Sequence, residues 1–290
     1  GLQLARLELE SELPRVASCY YVPRFVARYL TLNGEPSGIV ENIVRSYSIW
    51  LFNHFEQVVF STAAHREFFS SEGLVAPTTV ISNGVDVRRY SPGGGYEDVE
   101  QKYDLQNGPR ILFVSRLAKD KEIHVLIEAM RHLSPELGAQ LLLVGRGDDE
   151  ARLQDLTDEL ELRDRVRFLG FVPEADLPDL YRASDLFAIA SICEVQSLPT
   201  LQAAATGLPL VVADAVALPE LVRDGVNGYL VPPGRPEGFA QAMDKILRDK
   251  AMAQRMGVAS LGIAQEHAEE RTFDRYETLW LQAAGEHSSS

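Results

Sequence analysis

LFAIASICEVQSLPTLQAAATGLPLVVA, residues 186–213, decides how the rest of the chain is read. Residues 186–190 form an apolar run of the length of a buried strand. A polar turn over 191–197 carries one acid, Glu194. The spacing then predicts a helix over 198–206. Pro199 sits in its first turn, where a missing N–H costs no bond, and Gly207 supplies the stop. Pro209 opens a second apolar run over 210–213. Strand, loop, helix and strand in this order predict a crossover unit of a parallel sheet. The chemistry of such a unit gathers in the loop between the first strand and the helix. There the free N–H groups of the helix start hold an anion, most often phosphate.

Working outward, the same alternation recurs. Strands are predicted at 110–115, 140–144 and 166–171, and helices at 123–133, 148–160, 175–182 and 218–224. A hairpin-like GVNGYLVPPG follows at 225–234, and helices over 238–249 and 252–284 close the chain. Upstream, a helix over 2–13 precedes a strand at 15–21 and a loop and helix ending near Gly34. Then come a long aromatic-bearing helix at 39–54, a strand at 57–61, a helix at 63–73 and a strand at 79–82. SPGGGYEDVE, 91–100, reads as the linker. Strands alternating with helices at this spacing predict an α/β fold with parallel sheets covered on both faces.

Composition narrows the function classes. The 290 residues suit two domains, and 46% hydrophobic content is that of a packed globular chain. A net charge of −14 argues against nucleic acid, whose phosphates need clustered Lys and Arg. Two cysteines, Cys19 and Cys193, make neither a disulfide framework nor a metal site, and the six histidines show no metal spacing. No apolar run reaches the ~18 residues of a membrane span, and the charged amphipathic start is not a signal peptide. The expectation is a cytoplasmic protein. The opening, inside a helix-like pattern and without Met, suggests a missing N-terminus.

Four features fall at predicted carboxyl ends of strands, where open parallel sheets bind ligands. In SRLAKDK, 115–121, Arg116 and Lys121 flank a loop and are able to clamp a diphosphate as charge develops on it. A pair of ordinary surface charges is the competing explanation. In GRGDD, 145–149, Gly145, Arg146 and Gly147 permit close approach of backbone to a ligand, without completing a dinucleotide fingerprint. In FLGFVPEADLP, 168–178, the backbone of Phe171 and Val172 is available to read a base edge. The loop of residues 191–197 offers Glu194 to sugar hydroxyls, Ser197 and Leu198 at the helix start, and Gln202 to a ribose. The plainer reading of Glu194 is a loop cap.

The order of these segments resembles glycosyltransferase family 4. SNGVDVRRYSP, FVSRLAKDK, LLLVGRG, FLGFVPEADLPDLYRASDLFAIAS, the Glu194 segment and LPELVRDGVNGYLVPPG follow that family's pattern in sequence, over about residues 16–234. The resemblance implies a GT-B fold and a retaining transfer of a hexose from a nucleotide-diphosphate sugar, UDP- or GDP-linked, without a metal. It implies Rossmann-like organisation: a partial N-terminal acceptor-side domain and linker at 1–107, a nucleotide-sugar domain at 108–260 and a C-terminal helix and tail at 261–290. It also implies that the first hundred or so residues of a usual member are absent.

By position, Arg116 and Lys121 match the basic pair on the donor diphosphate, and Glu194 matches the first Glu of a Glu–seven residues–Glu motif near the donor sugar. Gln202 stands where the second Glu usually bonds the ribose. Ser197 and Leu198 match the loop whose backbone faces the phosphates, and Gly145, Arg146, Phe171 and Val172 fall among the donor-binding positions. Cys19 or Tyr20 replaces a loop His near the reacting sugar. A similar Glu-motif segment in glycolipid-type members hints at a lipid-linked acceptor, with peripheral contact at the inner membrane face; a polysaccharide precursor is the other acceptor class. Gln202 and the absent His favour an alternative: a weakened or inactive relative that binds only nucleotide or a partner.

Overall fold

The computed structural model describes residues 15–23, 26–27, 30 and 37–287. The helix expected over 2–13 and most of the one ending near Gly34 lie outside the described residues. The chain divides into two compact units, 1–83 with 270–290, and 84–269.

The larger unit is built on six parallel strands: β4 (Arg110–Val114), β5 (Gln140–Val144), β6 (Val166–Gly170), β7 (Leu186–Ile189), β8 (Leu210–Ala213) and β9 (Gly228–Val231). Their order is β6-β5-β4-β7-β8-β9. The chain starts in the middle of the sheet, winds outward through β5 and β6, and returns to wind the other way. Loops leaving β4 and β7 therefore diverge, and a crevice opens at their carboxyl ends. The sequence cause is direct: β5, β7 and β8 are buried at every residue, as continuous apolar runs in a sheet covered on both faces must be.

Helices α4 (Ile123–His132) and α8 (Pro236–Arg248) supply much of that cover. Each buries residues three and four apart: Ile123, Leu126, Ile127 and Met130 on one, Phe239, Met243 and Ile246 on the other. Each such side chain contributes roughly 1.5–3 kcal/mol. Helix α7 (Leu198–Ala205) is apolar almost all round and lies inside.

The linker reading of 91–100 is corrected. Helix α3 (Glu97–Lys102) begins within it and buries Val99. Glu100 accepts from Arg110 at 2.6 Å, and Arg110 also donates to the Ala183 and Gln106 carbonyls. These bonds draw the end of the segment into the larger unit, which runs over 84–269. Residues 225–234 form no hairpin. β9 instead adds to β8 in parallel, and buried Asn227 holds the preceding turn through the Arg223 amide and the Leu221 carbonyl. The helix expected at 218–224 is a single 3-10 turn, Leu218–Glu220. The helix expected at 252–284 breaks at His267, whose carbonyl is taken by the Val85 amide while Val85 accepts from Glu269. The two pieces are α9 (Lys250–Glu266) and α10 (Glu269–His287).

The smaller unit carries three parallel strands in order β1-β2-β3: Val16–Cys19, Gln57–Phe60 and Thr78–Val80. Helices α1 (Gly38–Phe52) and α2 (Ala63–Ser71) belong here with most of α10. Cys19, Phe52, Val58, Phe60 and Phe69 pack on one face of this sheet, and Val59, Ile81 and Leu279 on the other.

Candidate functional site

The loop leaving β4 runs through Ser115 and Arg116 into a 3-10 turn, Lys119–Lys121. It is pinned from the β5 side: Leu117 donates to the Arg146 carbonyl at 2.9 Å, and Asp149 to the Leu117 carbonyl at 3.1 Å. Here the glycines find their reason. A Cβ on Gly145, whose φ is +129°, would lie 1.9 Å from the Ser115 carbonyl oxygen, and one on Gly147 would lie 2.0 Å from that of Leu117. The close approach that requires glycine is that of neighbouring backbone, where the sequence pointed to a ligand.

From the other side, the loop leaving β7 is stitched to the same turn. The Ile192 amide and the Ser191 hydroxyl both donate to the Asp120 carbonyl at 3.3 Å. This joins the two loops at the point where strand order reverses, and it brings Lys121 Nζ to 2.7 Å from Glu194 Oε1. Lys121 Nζ also lies 3.4 Å from Asp120 Oδ2 and 3.5 Å from the Cys193 carbonyl oxygen. Asp120 Oδ1 is 3.7 Å from Arg116. The Lys121, Asp120 and Glu194 side chains are only 11–12% exposed, whereas Arg116 is 43% exposed. Burial alone would lower the Lys121 pKa; Glu194, and then Asp120, outweigh it and hold the ammonium above its ordinary value. The crevice thus holds two cations and two carboxylates in alternation.

Helix α7 begins beside this network. Ser197 is its N-cap, accepting from the Thr200 amide and hydroxyl at 3.4 and 2.8 Å. Leu198 is exposed at the start of the helix. Four residues on, Gln202 Oε1 accepts from the hydroxyl of Tyr181, a residue with no exposed surface, at 3.1 Å. Phe171, just beyond β6, is 70% exposed, while Val172 is buried, so only its backbone is offered. Arg146 crosses the end of β6, its Nε 3.7 Å from where a Gly170 Cβ would stand.

Arg116, Lys121 and Glu194 are thus drawn into one network through Asp120. Gln202 meets Tyr181, and Gly145 and Arg146 meet the β4 loop. Among the described residues, Phe171 and Val172 make no hydrogen bond to that network. Sequence reading missed Asp120 and Tyr181. The alternation of charge in KDK signalled the first; nothing in LYRA set the second apart from ordinary core.

In the smaller unit, Cys19 has no exposed surface and Tyr20 projects outward to the Tyr276 hydroxyl at 3.1 Å. The Cys19 thiol, pushed up to about 12 by burial, lies 3.8 Å from His65 Nε2. His65 bonds the Tyr21 carbonyl oxygen at 2.9 Å, and burial lowers its pKa to about 4.

Among the described residues, no helix is long and apolar enough to cross a membrane, and no group of three or more His, Cys, Asp or Glu is placed to hold a metal ion.

Comparison with known proteins bears on this geometry. The chain is 35% identical over 223 residues to the D-inositol 3-phosphate glycosyltransferase of Salinispora tropica, covering 71% of this chain and 45% of that protein. It is 27% identical over 254 residues to the N-acetyl-alpha-D-glucosaminyl L-malate synthase of Bacillus anthracis, covering 86% and 64%. The chain spans about half the length of the curated relatives it matches. Its fold is similar to that of Anabaena Alr3699/HepE solved with UDP-glucose, with a TM-score of 0.81, 25% identity and coverage of 100% and 76%. Sucrose-phosphate synthase from Thermosynechococcus elongatus shares the fold at a TM-score of 0.82 and 22% identity, with coverage of 96% and 69%. The family model for glycosyl transferases group 1 matches residues 96–260, more than half of the chain and all of the crevice just described, and the chain belongs to that family.

Proposed function

We propose that this chain takes part in retaining transfer of a hexose from a nucleotide-diphosphate sugar to an acceptor. The observation that carries the reading is the Lys121–Glu194 contact at 2.7 Å, which unites the loops of β4 and β7 at the reversal of strand order. A leaving nucleoside diphosphate gains negative charge as its bond to the sugar breaks. Arg116 and Lys121 meet that charge, aided by the first amides of α7 around Leu198. Glu194 then turns to the sugar hydroxyls, which supply donors to its carboxylate. Gln202, its side chain held by Tyr181, serves the ribose, and the backbone of Phe171 and Val172 serves the base. Gly145 and Arg146 complete the donor side. The acceptor role falls to residues 1–83 and 270–290; a lipid-linked acceptor is the first class to try, given the glycolipid-type resemblance.

Titration of the whole chain with UDP and with GDP in a calorimeter tests this. Binding of one of them, lost in Arg116→Ala, supports the donor site and names the base. Heat that is unchanged in Arg116→Ala, or absent with both nucleotides, overturns it.

A second reading, binding without turnover, is favoured by Gln202 itself. An amide in place of a carboxylate beside Tyr181 removes a charge-assisted bond to the ribose. Gln202→Glu separates the two: a gain in donor turnover marks a weakened enzyme, and tight nucleotide binding with no turnover in either form marks a binding protein.

A further inference from the structure

We propose that the Asp120 carboxylate is a built-in competitor for the donor diphosphate, one that weakens nucleotide binding and hastens release of the nucleoside diphosphate product. The proposal rests on the donor-site reading above and concerns a residue to which that reading gives no role.

The geometry is that of an anion occupying cation contacts. Asp120 Oδ1 faces Arg116 at 3.7 Å and Oδ2 faces Lys121 at 3.4 Å, so the carboxylate spans the two groups that would clamp a diphosphate. Asp120 and Lys121 are only 11–12% exposed, so solvent screens that attraction little, while Arg116, 43% exposed, is screened more. The position of Asp120 is set by backbone, because its carbonyl accepts from both Ile192 and Ser191. The loop therefore keeps the Asp120 backbone beside the cations, so its carboxylate is close at hand when a ligand arrives. With Glu194 on the far side of Lys121, the two cations are balanced by two carboxylates. An entering diphosphate displaces these attractions and meets the Asp120 charge as repulsion. A departing diphosphate leaves cations that are already compensated. Asp120 thus acts on affinity through Arg116 and Lys121, as a positioning residue.

The test is calorimetric titration of the full chain and of Asp120→Asn with UDP, GDP and inorganic pyrophosphate. Asparagine keeps the shape and removes the charge. The expected result is an affinity on the order of tenfold higher for pyrophosphate and for whichever nucleotide the parent binds, with the same gain in Asp120→Ser should the first variant fold poorly. Loss of a merely structural contact would not tighten binding. Unchanged or weaker affinity in folded Asp120 variants, with parent binding still abolished by Arg116→Ala, overturns the role of Asp120 alone. Absence of any parent binding overturns the donor-site reading and this proposal with it.

Discussion

The two units are built from the same strand–helix alternation and differ in one topological respect. Among the described residues of the smaller, strand order follows chain order, β1-β2-β3, without a reversal. In the larger, it reverses between β4 and β7, and the loops at that point carry Arg116, Asp120, Lys121 and Glu194. The same local chemistry yields a packed three-stranded sheet in one case and a charged crevice in the other. Backbone strain follows the same division. Among the described residues, the four non-glycine ones with left-handed φ, Asp104, Glu122, Glu161 and Val216, all belong to the larger unit. Two of them, Glu122 and Val216, lie in segments that follow the carboxyl ends of β4 and β8. The smaller unit instead shows solvent a row of apolar side chains on α1, Ile39, Ile43, Tyr47 and Trp50.

The sharpest way to break this contrast is to add one methyl group to each unit. Gly145→Ala forces a Cβ against the Ser115 carbonyl in a conformation alanine avoids, and it should cost about 4 kcal/mol in urea unfolding followed by far-UV circular dichroism. Gly38→Ala, on α1 with nothing within 4 Å of the new carbon, should stabilise by about 0.5 kcal/mol. Equal effects would mean that the glycine loops of the crevice are not the rigid part.

Acid should separate the units next. Both tryptophans, Trp50 and Trp280, lie in the smaller unit, so their fluorescence reports it alone. His65 is buried there and titrates at about 4 when folded, against about 6.5 when unfolded. Between those values the unfolded chain binds the extra proton, so stability present at pH 7 is lost as pH falls. The loss between pH 7 and 5 is about 2 kcal/mol. The tryptophan-reported unfolding midpoint should drop over this range, and drop less in His65→Gln.

Smaller than the acid effect is the release of strain after β8. Val216 is β-branched with φ of +49°, and Val216→Gly should stabilise the chain by about 1 kcal/mol in the same urea experiment. A destabilising result would show that the isopropyl group earns its place by packing.

Much of this was readable beforehand for a physical reason. Strands buried on both faces are continuous apolar runs, and residues 111–114, 141–144, 186–189 and 210–213 are such runs, with Arg110 and Gln140 as polar first residues of two of them. Pro199, Gly207 and the cap at Ser197 punctuate α7 locally, so its ends were readable too. What escaped depends on partners distant in sequence. Residues 91–100 have a linker's composition, yet the Glu100–Arg110 pair and buried Val99 tie the end of the stretch to the larger unit. The break at His267 is imposed by Val85, and nothing near residue 267 announces it. At the site, Lys121 and Glu194 were each visible as residue types at strand ends. Their pairing arises only when the loops of β4 and β7 meet, and the hold of Tyr181 on Gln202 only when the helix before β7 packs on α7.

Hydrogen exchange on the whole chain, with and without saturating UDP or GDP, tests most directly the claim that the reversal point of the larger unit is where ligand binds. The account predicts slowed exchange over 115–122 and 191–198, with the β1–β3 strands of the smaller unit unchanged. Protection confined to the smaller unit, or calorimetric binding with neither loop slowed, would contradict it.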